Sequence, residues 1–235
     1  MTAADPAPGR TPTGGVEPAR VAAFFDVDGT LLSVQSGTLY IGYLRRNGMM
    51  GRGDQARIYW GYITYRLGIL NMRRLVEVTS RWLAGRPETD VAEHCRDWYE
   101  TEVKRYVRPE IVDLVREHQD RGHVIALLTG GTHYLNDHIA ADIGVEHVLA
   151  SELEVVDGRF TGKPIRPLCY GKGKLVHADR FVDRTGVSLE HSYFYTDSIT
   201  DLPMLERVGH PRIVDPDPRL RREARSRGWD VVATA

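Results

Sequence analysis

Ala22-Ala23-Phe24-Phe25-Asp26-Val27-Asp28-Gly29-Thr30-Leu31-Leu32 is the stretch on which the fold turns. A short apolar run breaks off at two carboxylates one residue apart, followed by a glycine and a hydroxyl. That is the pattern of a buried strand delivering charge to the rim of a sheet. Strand alternation places Asp26 and Asp28 on the same side, close enough to share a divalent cation or a phosphoryl group, and Gly29 lets the backbone turn beneath them. A solvated turn and a calcium loop begin with the same letters. The calcium loop needs a bidentate acid at its twelfth position and helices on both sides. Here that position is Gly37 and the preceding flank is strand-like, which sets it aside. Between the turn and a site, the rest of the chain decides.

The chain has 235 residues, 42% hydrophobic and 27% charged, which suits one globular domain with a sizeable core, or one domain with a modest insertion. A formal net charge of -1 supplies no basic field to hold a polyanion, so nucleic acid is not an indicated partner and any phosphate recognised is small. Cys95 and Cys169 lie far apart without metal-ligand spacing and read as reduced, partly buried thiols, with a disulfide left open. Residues 1–19, rich in Pro, Gly, Ala and Thr, read as a disordered leader rather than a secretory signal, which makes the cytoplasm the default location. No stretch reaches the roughly 18 uninterrupted apolar residues of a membrane span. The oligomeric state is not legible.

Beyond the first strand, Ser36 to Asn47 carries apolar residues at helical spacing and stops at Gly48. Ile58 to Ile63 is aromatic-rich, Asn71 is placed to cap a helix containing Leu75, Val76 and Val78, and Pro87 opens a helix to about Tyr106. No strand-like run falls between Val34 and Arg108. From Pro109 helices and strands alternate, the signature of a parallel sheet with crossover helices. Pro109 to Arg121 is a helix, His123 to Leu128 a buried strand ending at Thr129-Gly130-Gly131, and a helix follows through Ile143. Then come a strand at His147 to Ala150, a hairpin at Leu153 to Thr161 turning on Asp157-Gly158, and a helix begun by Lys172 or Lys174. Ser192 to Thr196 is a strand that delivers Asp197, and Arg212-Ile213-Val214 and Trp229 to Val232 complete the set. The architecture is a doubly wound, Rossmann-like α/β parallel sheet with an inserted all-helical block.

In such a sheet the ligand sits outside the carboxyl ends of the strands. Three strands end in chemistry: one at Asp26 and Asp28, one at Thr129 and two glycines, one at Asp197 with Asp201 four residues on. The sequence here resembles the haloacid dehalogenase superfamily. Phe25-Asp26-Val27-Asp28-Gly29-Thr30, Leu128-Thr129-Gly130-Gly131, Lys174, and Tyr195-Thr196-Asp197-Ser198-Ile199-Thr200-Asp201 follow that family's order, from about Val21 onward. The Val214-to-Leu220 segment and the helical insert look like the phosphoserine-phosphatase-like branch, subfamily IB, with a helical cap of the first type. Dehalogenases lack the second aspartate and cation-pumping ATPases carry threonine there, so Asp28 argues for a phosphatase or a phosphomutase.

The resemblance implies a core of residues 20–34 and 109–235, a helical cap of residues 35–108, and a Mg²⁺-dependent phosphomonoesterase acting on a small phosphorylated substrate. Asp26 attacks phosphorus and forms an aspartyl-phosphate. Asp28 protonates the departing alcohol and then activates water. Asp26, Asp197 and the backbone carbonyl of Asp28 hold Mg²⁺. The Thr129 hydroxyl and the Gly130 amide, with Gly131 beside them, hold phosphoryl oxygens. Lys174, with Lys172 as its rival, neutralises Asp26 and the phosphoryl group. Asp201 positions Lys174 or a metal-bound water, or else caps a helix. Phosphoserine phosphatases carry a glutamate nine residues after the nucleophile; here Gln35 stands at that substrate-facing position, which argues against phosphoserine itself.

The inserted helices would form a lid. Tyr59, Trp60, Tyr62 and Tyr65 read either as packing between lid helices or as contacts to a larger, more apolar leaving group. The histidines are given no function, since none pairs at metal spacing with a carboxylate. A sugar-phosphate isomerisation assay would reveal a phosphomutase. Mg²⁺ binding without hydrolysis of any phosphoester would reveal a non-catalytic phosphate-binding module.

Overall fold

The computed structural model describes residues 19–66, 72–232 and 234. At its centre lies β1 (Ala22–Phe25), buried along its whole length. Ala23 and Phe25 face one apolar cluster with Ile111, Val115, Leu127 and Ile139, whereas Ala22 and Phe24 face another with Ala126, Leu128, Phe181 and Phe194. Both faces are covered, which is why the strand reads as an unbroken apolar run. Each phenylalanine so buried contributes on the order of 1.5–3 kcal/mol.

Helices α1 (Ser36–Arg46), α2 (Arg52–Arg66), α3 (Met72–Leu83) and α4 (Glu88–Trp98) follow. The helix expected from Pro87 changes pitch, passing through a π turn at Tyr99–Val103 and a 3-10 turn at Lys104–Tyr106. At the stem of this block the two connecting strands of chain are stitched together: Ser33 N donates to Tyr106 O at 3.0 Å and Arg108 N to Leu31 O at 2.9 Å. The expected cap at Asn71 lies outside the described residues, as do residues 1–18 of the expected leader.

The chain then alternates through α5 (Pro109–Asp120), β2 (Val124–Thr132), α6 (His133–Ile143), β3 (His147–Ser151), β4 (Leu153–Val156), β5 (Arg159–Pro164), α7 (Lys172–Thr185), β6 (Tyr193–Thr196), α8 (Leu202–Leu205), β7 (His210–Val214), α9 (Pro218–Arg227) and β8 (Asp230–Val232). Six strands form one parallel sheet in the order β3-β2-β1-β6-β7-β8. The chain fills one side of β1 with β2 and β3, then the other with β6 to β8, so the topological switch lies at β1 and β6. A crevice opens there, beyond the carboxyl ends. Phe25 stands opposite both Leu127 and Tyr195, which brings the carboxyl ends of the three strands to one level.

Three expectations need correction. First, β2 does not end at Leu128: it runs to Thr132 with a shift of register between Leu128 and Thr132, because the glycines permit an irregular extension along β3. Second, Tyr59 and Trp60 are 54% and 67% exposed and do not pack between helices, whereas α2 turns their neighbour Ile58 inward, at 4%. The side chains of Tyr62 and Tyr65 lie outside the described residues. Third, His133 Nδ1 does meet a carboxylate, Asp137 Oδ1, at 3.0 Å, an exposed pair one helical turn apart that belongs to no group of three metal-ligating side chains among the described residues.

The hairpin of β4 and β5 turns on Asp157 and Gly158, both at positive φ (49° and 70°), the mirror-image turn that matches strand twist. Its docking was not legible in the sequence. Phe160 N donates to Arg86 O (3.0 Å), Gly85 N to Phe160 O (2.8 Å) and Glu88 N to Gly158 O (2.9 Å), while Phe160 packs against Val91 and Cys95. The hairpin is thus fastened to the corner between α3 and α4. Both cysteines are free and buried. No helix among the described residues is long and apolar enough to cross a membrane.

Candidate active site

β1 makes its last bond to β6 where Asp26 N donates to Tyr195 O at 2.9 Å, and it ends because the chain then curls, with Thr30 N donating to Val27 O and Leu31 N to Asp26 O. Gly29 sits at φ +81°, a conformation few side chains adopt. A Cβ there would also fall against the Asp197 carboxylate, 2.7 Å from its Cγ and 3.0 Å from Gln35 Nε2. The first and third tips, and Gln35, therefore meet at this glycine.

Asp26 is 7% exposed, and its Oδ1 lies 2.8 Å from Lys174 Nζ. The same ammonium reaches Asp201 Oδ2 at 2.6 Å, and Asp201 also accepts from the Thr196 hydroxyl at 2.7 Å. Lys174 is buried and Lys172 exposed, so of the two lysines the fold turns Lys174 inward. Asp201 is the residue before α8, but its carboxylate makes no capping bond. Thr196 is a partner that the sequence did not single out; its place at the last residue of β6, in phase with Phe194, was the available signal.

Burial raises the Asp26 carboxyl, the Lys174 ammonium opposes that, and the charges of Asp201 and Asp28 add to it. Burial would strip the proton from Lys174, but Asp201 and Asp26 together push its pKa above the ordinary lysine value. Asp28 is raised by burial, against hydrogen bonding from Ser36, whose N donates to Asp28 Oδ1 at 2.8 Å. Ser36 opens α1, so Asp28 occupies a helix N-terminus. Asp197 is pushed up to about 8 by burial and by the neighbouring charges of Asp26 and Asp201.

Thr129 is buried, and its hydroxyl accepts from Gly131 N at 3.1 Å. Gly130 stands exposed at the tip; a Cβ there would lie 3.7 Å from Cys169 O and 3.7 Å from the Tyr170 ring, in the segment that leads into α7. The second tip thus borders the approach to Lys174. Asn136 tightens this loop, donating from Nδ2 to Thr132 O at 2.8 Å.

A hard divalent cation fits these residues. Asp26, Asp197 and the Asp28 main-chain carbonyl are an all-oxygen set, and Asp197 sits in a negative field that a cation would relieve. Among the described residues no three His, Cys, Asp or Glu side chains form a ready-made cage. A cation would rest on two carboxylates, main-chain oxygen, water and the ligand's own oxygens.

The arrangement suits chemistry on a phosphoryl group, and comparison with known proteins gives the family of the chain. Residues 23–206 match the family described as haloacid dehalogenase-like hydrolase. A protein named probable phosphatase from Mycobacterium tuberculosis (strain ATCC 25618 / H37Rv) is 33% identical over 229 residues, 96% of this chain and 79% of its own. The phosphoserine phosphatase SerB1 of that strain is 30% identical over 227 residues, covering 89% and 70%. A histidinol-phosphatase from Neisseria meningitidis serogroup C (strain 8013) is 27% identical over 215 residues, covering 89% and 97%. Among solved structures, a Bordetella pertussis Tohama I protein of unknown function superposes with a TM-score of 0.85 at 31% identity, covering 92% of this chain and 99% of that one. A substrate-bound phosphoserine phosphatase shares the fold, with a TM-score of 0.65 at 20% identity over 88% and 91% of the two chains.

The chain belongs to the haloacid dehalogenase-like hydrolases, in their phosphoserine-phosphatase-like branch. It is a phosphatase.

Proposed function

We propose that the protein is a Mg²⁺-dependent phosphomonoester hydrolase that works through an aspartyl-phosphate on Asp26 and acts on a small phosphorylated metabolite. One observation carries the reading: Lys174 Nζ lies between Asp26 Oδ1 (2.8 Å) and Asp201 Oδ2 (2.6 Å) at the switch point of the sheet. Asp201 and Thr196 fix the ammonium, and the ammonium draws the Asp26 carboxyl toward its ionised form against the burial that raises it to about 7. An ionised, oriented carboxylate is what an in-line attack on phosphorus requires.

Asp28 is the proton donor and acceptor. Burial raises its carboxyl, which favours the protonated form that an alcohol leaving group needs, while Ser36 N fixes one oxygen. The Thr129 hydroxyl and the Gly130 amide receive the phosphoryl oxygens at the second tip. When bound, Mg²⁺ would neutralise the phosphoryl charge so that a second anion can approach it. Residues 20–34 and 109–235 form the catalytic core, and residues 35–108 the lid that excludes water. Gln35, beside Gly29 and Asp197, faces the leaving group. An amide there lacks the charge to meet a substrate amine, which supports a substrate other than phosphoserine.

A generic phosphoester assay with Mg²⁺ and with EDTA tests this. Hydrolysis that needs Mg²⁺ and disappears in Asp26→Asn, with the fold retained, is the expected result. Hydrolysis that survives Asp26→Asn would remove the covalent mechanism. A panel of phosphorylated metabolites then identifies the substrate.

A further inference from the structure

Between β7 and α9 the chain reads Val214-Asp215-Pro216-Asp217-Pro218, a corner that takes no part in the chemistry proposed above. Asp215 is held at φ +44°, a left-handed conformation that a side chain keeps only where its surroundings impose it. Pro216 and Pro218 have no N–H, so Asp217 supplies the one main-chain donor between Asp215 and Arg219. The proline that follows also confines Asp217 to extended backbone, and it stands at φ -56° and ψ 157°. A residue stiffened in this way has little freedom left to lose on folding.

The bonds of Asp217 run to two elements. Its N donates to Asp197 O at 2.9 Å. One carboxylate oxygen, Oδ2, accepts from Ile199 N at 2.8 Å. The other, Oδ1, accepts from Arg219 N at 2.8 Å and from Leu220 N at 3.0 Å. Oδ1 thus caps α9, while Oδ2 and the main-chain N–H grip both ends of Asp197-Ser198-Ile199. On its far side the Asp197 carboxylate lies against Gly29, which leaves it no slack there. The turn is fixed to α9, and α9 is anchored in the core by Leu220 and Ala224, both buried.

We propose that Asp217 is a positioning residue for the divalent cation: by holding both ends of the Asp197 turn it aims the Asp197 carboxylate, and it acts through Asp197 rather than on the substrate. This rests on the reading of Asp26, Asp197 and the Asp28 carbonyl as the cation's protein ligands. Capping of α9 is the competing role. That role needs Oδ1 alone and leaves the bond from Ile199 N to Oδ2 without a purpose.

Substitutions at the two ends of that bond separate the roles. In Asp217→Asn the two donors Arg219 N and Leu220 N hold the amide oxygen at α9, which turns the amide NH₂ toward Ile199 N and breaks the bond there. Ile199→Pro removes the donor instead and leaves the α9 cap whole. Proline suits the first position of the 3-10 turn Ile199–Asp201, and Ser198 before it is already extended, at φ -113° and ψ 133°. Leu220→Val loosens the packing of α9 with the bond intact. Mn²⁺ binding to each full chain is read by electron paramagnetic resonance of the free ion, with Mg²⁺ as competitor, and folding by circular dichroism. Asp217→Asn and Ile199→Pro should each bind Mn²⁺ about tenfold to a hundredfold more weakly, with Leu220→Val close to the wild type. The double variant should bind no more weakly than the weaker single one. Hydrolysis by both variants should recover as Mg²⁺ is raised, with half-activation shifted by the same factor. Wild-type Mn²⁺ affinity in either folded variant overturns the proposal, as does an equal loss in Leu220→Val. Unfolding of both variants overturns it too, since the turn would then serve the fold rather than the cation. A wild type that binds no divalent cation removes the cation reading as well, which keeps the two failures apart.

Discussion

Gly29 and Asp197 compete for the same space: the carboxylate of Asp197 lies where a side chain on Gly29 would begin. The contact joins the end of the first strand to the end of the sixth, with no metal needed to define it. Gly29→Ala must move Asp197, strain a φ of +81°, or both. It should lower kcat by about a hundredfold or more, since small misplacements of reacting groups cost that much. Steady-state kinetics beside a circular dichroism spectrum check this; near-normal kcat in a folded variant would show that Asp197 has room to spare.

Lys174 is buried between two acids, and removing one of them leaves a charge poorly compensated. Asp201→Ala should destabilise the fold by about 3–5 kcal/mol, the usual cost of breaking a buried pair. Asp201→Asn keeps a partner for the ammonium and should cost less. Urea unfolding of the two variants measures the difference.

Asp28→Asn should slow esters of alcohols more than nitrophenyl phosphate, because only a poor leaving group requires a proton as it departs. Rates on a glycerol phosphate and on nitrophenyl phosphate give the comparison. Equal slowing of both would take the proton-donor role from Asp28.

Behind the catalytic strands, His118 Nε2 lies 2.9 Å from the Tyr195 hydroxyl and His118 Nδ1 lies 2.7 Å from His123 Nδ1. Burial, then the positive charges of His123, Arg121 and Arg212, push the His118 pKa down from 6.5 to about 4. The folded state thus binds fewer protons than the unfolded chain between these values. The stability is present in full above pH 6.5 and is lost as pH falls toward 4. That contribution is at most about 3 kcal/mol. Urea unfolding between these limits should show a shallower pH slope in His118→Gln than in the wild type; identical slopes would assign the acid loss to carboxylates elsewhere.

How much was legible can be read residue by residue. The buried run before Asp26, the hairpin turn at Asp157-Gly158 and the alternation after Pro109 were plain, because each is a local pattern with a local cause. Of two lysines two residues apart at the start of one helix, the fold turns Lys174 inward and leaves Lys172 in solvent. For Tyr59 and Trp60 the packing alternative fails, because an aromatic on a helix has the same periodicity whether it faces a core or water, and only the neighbouring helices settle which. His133 and Asp137 pair although the spacing gave no sign of function, and His118 and His123 meet across the short turn between α5 and β2.

The sequence alone determined which residues carry charge to strand ends, since burial, alternation and chain reversal are written into residue type within a few positions. Tertiary structure decided what those charges touch: Lys174 against Asp26 and Asp201, Asp197 against Gly29, Ser36 against Asp28, and the hairpin against α4. The physical reason is that contact between residues distant in the chain depends on strand order and helix packing, which are set by the burial of the whole core rather than by any one segment.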